Sequence, residues 1–468
     1  MIQTLWNNFE YQPHQVQGIQ WMLEREEHVP SGGMLCDEMG LGKTIQVLGL
    51  MKTSPKPMTL LVGPLAVLKQ WEEAATRSGF QVWKTHKTKP EWEQVTEFDD
   101  ETPGLYLVNY ERVRHRSSLV CDTLWDRLVL DEAHRVGNHK TQSFLSVKKI
   151  EASSKWLLTA TPITNKIENA LTLFQLLGNP IKEKTMEGIK ALATNTVLCR
   201  KMEDLRDKIP SLPASAESVK HALDFETEEE AEFYRGIQGV IQRRWKMLEQ
   251  ESGGHGERFR LIMRLRQISI HPQVYIAARK RAWRHFERED FLEPSTKFHK
   301  LQELIEAEWN ENHRWLVFCH FHDEMELLQD HLTECPVVRE CGIYSGALSQ
   351  REREEVLAKS KETLFGKQQE VLLVQLMSGG VGLNLQHFDR VVFMGPWWTA
   401  AIMDQAIGRA VRIGQTKKVI VHHLILKEEE TMNIDRTMLE KAESKRSLCQ
   451  DFLGIYREPE KGRKFEHN

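Results

Sequence analysis

Asp37–Thr44 reads DEMGLGKT and lies between an apolar run, Gly33–Cys36, and a helix-like stretch, IQVLGLMK, that starts at Ile45. A strand, a glycine-containing turn and a helix in that order make a phosphate-binding loop. Such a loop aims backbone N–H groups at the start of a helix toward an anion. The strict pattern is G-x-x-x-x-G-K-S/T, and here Asp37 takes the place of the first glycine. The rest is intact. Gly40 and Gly42 allow close backbone approach, Lys43 is placed to reach β- and γ-phosphates, and Thr44 offers a hydroxyl to Mg²⁺. The loop predicts nucleotide contacts from Asp37, Glu38, Met39, Gly40, Leu41, Gly42, Lys43 and Thr44.

Roughly 90 residues further on, the apolar run Arg127–Leu130 ends in DEAH, Asp131–His134. Adjacent carboxylates at a strand end are often only turn residues. After a phosphate-binding loop they predict a hydrolytic pair, with Asp131 on the metal, directly or through water, and Glu132 orienting and deprotonating the attacking water.

The rest of the chain repeats this alternation of apolar run and amphipathic stretch, the pattern of parallel α/β units. Buried strands are predicted at Gly33–Cys36, Thr59–Val62, Leu105–Val108, Arg127–Leu130 and Trp156–Leu158. They resume at Trp315–Phe318, Val371–Val374, Val391–Met394 and Val419–Ile425. Between them, residues 196–295 are rich in Glu, Arg, Lys and Gln and read as helical, with a loop at ESGGHG, 251–256. Basic residues cluster there at Arg243, Arg244 and Lys246, and again at Arg279, Lys280, Arg281 and Arg284. A solvated helix face and a nucleic-acid contact are both open for them. The expected division is an α/β lobe over 1–195, the helical region over 196–295, a second α/β lobe over 296–455 and a charged tail over 456–468.

Composition excludes several classes. The 468 residues carry a formal net charge of −4, so nucleic-acid contact has to come from a local patch. The seven cysteines, 36, 121, 199, 319, 335, 341 and 449, contain no C-x-x-C pair, which argues against zinc and against a disulfide framework. No apolar run approaches the roughly 18–20 residues that span a bilayer, and MIQTLWNNFEYQ lacks the pattern of a secretory signal. An intracellular protein without membrane contact is expected.

With both motifs in place the chain resembles the Swi/Snf-type ATPases, double-stranded-DNA translocases of helicase superfamily 2, over nearly its whole length. YQPHQVQGIQWM (11–22) resembles the family's glutamine motif, which implies that Gln15 reads the adenine edge. LVGPLAVLKQW (61–71) and LVNYERV (107–113) resemble DNA-contacting motifs. DEAHRVGN (131–138) extends the acidic box in the family's way, with Arg135 and Asn138. LTATPITN (158–165) resembles the motif that couples hydrolysis to lobe movement. RLRQISIHP (264–272) resembles the linker that RNA helicases lack, and STKFHKLQEL (295–304) the entry to the second lobe.

The likeness continues through LVFCHF (316–321), YSGALSQRER (344–353) and LMSGGVGLNLQ (376–386), the last implying a nucleotide-sensing role around Gly382. DQAIGRAVRIGQ (404–415) is the most specific match. It implies that Arg409 and Arg412, three apart and therefore expected on one helix face, act as arginine fingers. Val411 departs from the family, many of whose members carry a polar residue there. The segments between motifs are short, leaving no space for a RING domain or other accessory module.

The resemblance implies two RecA-like α/β lobes, with ATP and Mg²⁺ as cofactors and double-stranded DNA as partner. It also implies displacement of DNA-bound proteins such as nucleosomes, polymerase or transcription factors, in a nucleus or at a viral replication site. The alternatives are another superfamily 2 DNA or RNA helicase, and a silent DNA-binding scaffold. The linker and the final motif weigh against the first. Intact Lys43, Thr44, Asp131, Glu132, Arg409 and Arg412 weigh against the second.

Overall fold

The structure is a computed structural model. It describes residues 1–453 except 87, 88, 90, 97–101, 116, 180–184, 207, 208, 210–215, 251–254, 310–312, 363–368, 380–382, 413 and 428–432. Gly382, most of the 251–256 loop and the charged tail therefore lie outside the described residues.

Two compact units, each built on one sheet, make up the chain. The first comprises Met1–Leu212 together with residues 444–453, the second Pro213–Glu443. The expected helical region thus groups from residue 213 onward with the second α/β unit. The first sheet holds β1 (Gly32–Leu35), β2 (Met58–Gly63), β3 (Gln81–Thr85), β4 (Trp92–Gln94), β5 (Gly104–Asn109), β6 (Trp125–Asp131), β7 (Ala152–Leu158) and β8 (Val197–Leu198). Their order is β4-β3-β5-β2-β6-β7-β1-β8, parallel throughout except for the antiparallel β3–β4 pair.

The second sheet holds β9 (Glu217–Leu223), β10 (Arg314–Cys319), β11 (Val338–Tyr344), β12 (Gln369–Gln375), β13 (Arg390–Phe393) and β14 (Ile420–Leu426). Its order is β11-β12-β10-β13-β14-β9, all parallel. Both units are of the α/β class.

The nine apolar runs read from the sequence all form strands, within one residue at each end or extended by a few. Strands buried on both faces carry continuous apolar stretches, and β1, β2, β6, β10, β12 and β13 are of that kind. The first core gathers Met34, Leu60, Val62, Leu130 and Leu157, with Phe452 packed edge-on against Phe174 at 6.4 Å. Two further cores cover the faces of the second sheet, around Trp315, Val317 and Leu373 and around Phe318, Val374 and Val391. Each such side chain removed from water contributes roughly 1.5–3 kcal/mol. Residues 196–295 are mostly helical but also supply β9, whose side chains alternate between exposed and half-buried at the sheet edge. A strand so exposed, ESVKHAL, gives no apolar run to read.

Candidate active site

Parallel strands bring their carboxyl ends to one edge, and there the first unit assembles its motifs. β1 runs through Asp37 into helix Lys43–Thr53. Gly40 and Gly42 take positive φ, 90° and 76°, a region that a Cβ disfavours. A Cβ on Gly42 would also lie 2.6 Å from Gln15 Nε2. The glycines are thus required by backbone shape. Lys43 Nζ donates to the Asp37 carbonyl at 2.6 Å and lies 3.4 Å from that of Glu38. Thr44 occupies the first turn of the same helix, and Leu41 is buried among Met202, Leu205 and Ile209.

β6 ends on Asp131, two strands from β1. Asp131 is tethered on both oxygens: Trp71 Nε1 donates to Oδ2 at 2.8 Å and the Glu132 N–H to Oδ1 at 2.9 Å. The Tyr110 hydroxyl donates to its carbonyl at 2.8 Å. Burial first, and the Glu132 charge second, push the Asp131 carboxyl up to about 6, against the opposing pull of Trp71, Lys43 and the Glu132 N–H. A bound cation would relieve that cost. The donor set, a half-buried carboxylate and the Thr44 hydroxyl, fits a hard divalent ion such as Mg²⁺.

Glu132 adopts φ 51°, left-handed and unusual for a non-glycine, and leads into the 3₁₀ turn Ala133–Val136. His134 Nδ1 lies 3.4 Å from Glu132 Oε2 and 3.2 Å from Thr159 Oγ1. Burial lowers the His134 ring to about 4, so it is neutral near pH 7. Thr159 in turn donates its N–H to Leu35 O at 3.2 Å. The acidic box is thereby joined through β7 to the strand that feeds the phosphate loop. Asn169 Nδ2 adds a bond to Gly137 O at 2.9 Å, while its Oδ1 accepts from the N–H groups of Asn165 and Lys166 at 3.0 and 2.9 Å.

Two residues depart from their expected setting. Asp37 is fully buried, and its carboxylate faces Arg200 and Gln46 within the protein: Arg200 Nε to Oδ1 at 3.0 Å, Arg200 Nη2 to Oδ2, Gln46 Nε2 to Oδ2 at 3.0 Å. Its side chain is a structural anchor of the loop. Gln15 accepts from the Gln12 N–H at 3.1 Å and its Nε2 is 3.4 Å from Leu41 O, so it too braces the loop. Glu38 is exposed, with its carboxylate accepting from Met202 N at 2.7 Å. Trp71, Tyr110, Thr159 and Arg200 were not singled out from sequence, since each acts on a residue at least 21 positions away.

In the second unit, helix Ala400–Ala410 carries Arg409 in its last turn, 3% exposed. Arg412 lies beyond the helix, after the Val411 C-cap, which corrects the expectation that both arginines share one helix face. The chain leaves helical geometry at Val411 (φ −87°, ψ 87°) and turns at Gly414, φ 101°, with Gln415 N–H bonded to Arg412 O at 2.9 Å. Half-buried Arg412 has its basicity lowered by desolvation.

Several of the basic residues of the helical region are engaged in ion pairs: Arg244 with Glu257 at 2.6 Å, Lys280 with Asp290 at 2.8 Å, and Arg281 with Asp323. Among the described residues, no three His, Cys, Asp or Glu side chains are grouped to hold a metal ion, and no helix is long and apolar enough to cross a membrane.

A family model described as SNF2-related domain matches residues 14–274, and one described as helicase conserved C-terminal domain matches residues 296–414. The "Probable global transactivator" of Orgyia pseudotsugata multicapsid polyhedrosis virus is 28% identical over 92% of this chain and 89% of its own. The Arabidopsis thaliana "CHD3-type chromatin-remodeling factor CHR7" is 26% identical over 90% of this chain, which spans only 36% of that relative. The SWI2/SNF2 ATPase core of Sulfolobus solfataricus, solved in complex with double-stranded DNA, is 22% identical with a TM-score of 0.42, covering 97% of this chain and 99% of that one. More than half of the sequence falls in the first family match alone, and the chain belongs to the SNF2 family of helicase-like, DNA-dependent ATPases.

Proposed function

We propose that this ATPase is a motor that moves along double-stranded DNA without separating its strands and displaces proteins bound there. The observation that carries the reading is the first unit's site, where Lys43, the half-buried Asp131 and Glu132 are joined by hydrogen bonds through β1, β6 and β7. Lys43 and the loop N–H groups bind the phosphates, and Glu132 orients the attacking water and takes its proton. Mg²⁺, held by Thr44 and Asp131, would neutralise the developing phosphate charge. Arg409 and Arg412 supply positive charge to the transferred phosphoryl group. Contacts to DNA go mostly to phosphates and weaken steeply with salt.

Strand separation costs on average about 1.4 kcal/mol per base-pair step and needs a wedge at the fork. Among the described residues outside the two sheets and their covering helices, the largest element is the helical hairpin Glu228–Gln250 and His255–Ile270, laced by charged pairs such as Arg235–Glu228 and Arg244–Glu257. One observation favours strand separation instead: Val240, Met247 and Phe259 are exposed on that hairpin.

ATP turnover with duplex DNA and with RNA of equal length tests the substrate, and a triplex and a forked duplex test the movement. The expected result is stimulation by duplex DNA, release of the third strand and an intact fork, with Glu132→Gln inactive. Preference for RNA, or efficient opening of the fork, overturns the proposal. DNA-bound complexes such as nucleosomes, polymerases or transcription factors are the proposed objects of displacement, in a nucleus or at a viral replication site.

A further inference from the structure

Arg200 follows β8 and is 6% exposed, yet it contacts three distant segments at once. Its Nε donates to Asp37 Oδ1 at 3.0 Å and its Nη2 to Asp37 Oδ2 and to Gln46 Oε1, the latter at 2.8 Å. Its Nη1 donates to the His14 carbonyl, and its own carbonyl accepts the Glu38 N–H at 2.9 Å. The three segments are the glutamine motif, the entry of the phosphate loop and helix Lys43–Thr53. Asp37 in turn presents to Lys43 Nζ the carbonyl that holds it at 2.6 Å.

We infer that Arg200 is a positioning residue for ATP binding, acting through Asp37 to set the phosphate loop and Lys43. The inference rests on the reading of Asp37–Thr44 as the nucleotide loop. It explains why an aspartate replaces the first glycine of the strict pattern. A glycine has no side chain by which the loop can be gripped, whereas a carboxylate accepts two parallel bonds from one planar guanidinium. A buried ion pair is tolerated when its bonding capacity is filled. Here Nε, Nη1 and Nη2 all donate, and Gln46 Nε2 adds a further bond to Asp37 Oδ2. The pair fixes the loop before nucleotide arrives, so its loss weakens ground state and transition state alike.

The test is steady-state turnover on saturating duplex DNA, with equilibrium binding of a fluorescent ATP analogue and a thermal melt to confirm folding. Arg200→Ala and Arg200→Lys are expected to raise KM for ATP about tenfold or more while kcat stays within about threefold, the pattern of lost uniform binding. Lysine keeps the charge but not the fork, so it rescues only in part. The double variant Asp37→Asn with Arg200→Gln, a neutral pair of similar shape, is expected to bind nucleotide better than Arg200→Gln alone. Should Arg200→Ala not fold, Arg200→Lys and the neutral pair carry the test.

An unchanged KM in folded Arg200→Lys and in the neutral pair overturns the inference, as does a fall in kcat alone. Strictly additive effects of the two neutral substitutions overturn it too. Lys43→Ala separates the two levels. If that variant keeps nucleotide affinity and turnover, the reading of the loop itself is wrong. If it loses them while the Arg200 variants keep wild-type KM, only the role of Arg200 is.

Discussion

Asp131 and Glu132 are two acids in sequence but different in setting. Asp131 is half-buried, held by an indole and a backbone N–H, and its carboxyl is pushed up to about 6 by desolvation and by its neighbour. Glu132 is turned away from strand geometry at φ 51°, a conformation that costs on the order of 1 kcal/mol and that functional sites retain. The separation suits one acid to a cation and the other to a water. Lys43→Ala should therefore lose both nucleotide affinity and turnover, whereas Glu132→Gln should bind ATP nearly as the parent does and stall. Equilibrium binding beside phosphate release checks this, and equal loss of binding in both variants would falsify the division of roles. Lys43, Asp131 and Glu132 could be singled out from the sequence because their types and order point to the proposed chemistry. Arg200, Trp71 and Thr159 were not, because their meaning lies in side-chain bonds between segments that the sequence separates widely.

Elements hold the site by pairing their opposite ends. Helix Pro13–Glu26 begins with the His14 and Gln15 contacts to the loop, and finishes on Glu26, which grips the far end of the sheet. Glu26 accepts from Arg127 Nε of β6 at 2.6 Å and from Trp156 Nε1 of β7 at 3.0 Å, and pairs with Lys56 at 3.2 Å. Burial alone would push the Glu26 carboxyl up. The bonds and charges of Arg127, then Trp156 and Lys56, outweigh it and hold the group below its ordinary 4.5. A depressed carboxyl contributes stability that is present above the unfolded value and is lost as pH falls through the folded one. Glu26→Gln should thus cost about 3–5 kcal/mol near neutral pH, because Arg127 is left buried and uncompensated. The difference from the parent should shrink as pH falls below the ordinary 4.5. Urea midpoints across pH 3.5–7.5 check it, and a pH-independent difference would count against the ion pair as its cause. The strands that flank this helix were legible as apolar runs. β3, β9 and β11 were not, because QVWKT, ESVKHAL and VRECGIY mix polar and charged residues into the strand, and β9 and β11 are the edges of their sheet.

At the scale of the molecule, the expected three-part division gave way to two units because β9 pairs with β14 along seven residues and draws the helical region into the second sheet's unit. A polar edge strand hides that pairing from the sequence, while the alternation of apolar run and helix made both α/β units plain. A net charge of −4 gives no global attraction to DNA, so contact with it has to come from local cations. Arg409 and Arg412, proposed to act on the phosphoryl group, differ in setting. Arg409 is buried in the last turn of its helix, and its loss is expected to cost stability as well as turnover. Arg412 is half-buried beyond the helix end, desolvated enough to lower its basicity and set off from the regular backbone. In the proposed finger role its charge serves the transferred phosphoryl group, and the fold does not depend on it. Arg412→Ala should accordingly leave the melting temperature and ATP affinity of the full chain near those of the parent. Its kcat on duplex DNA should fall by on the order of 10³ or more, the usual loss when an arginine finger is removed. Single-turnover phosphate release with bound ATP measures the chemical step directly. Parallel loss of ATP affinity and turnover would make Arg412 a binding residue, and unchanged turnover would remove it from the chemistry.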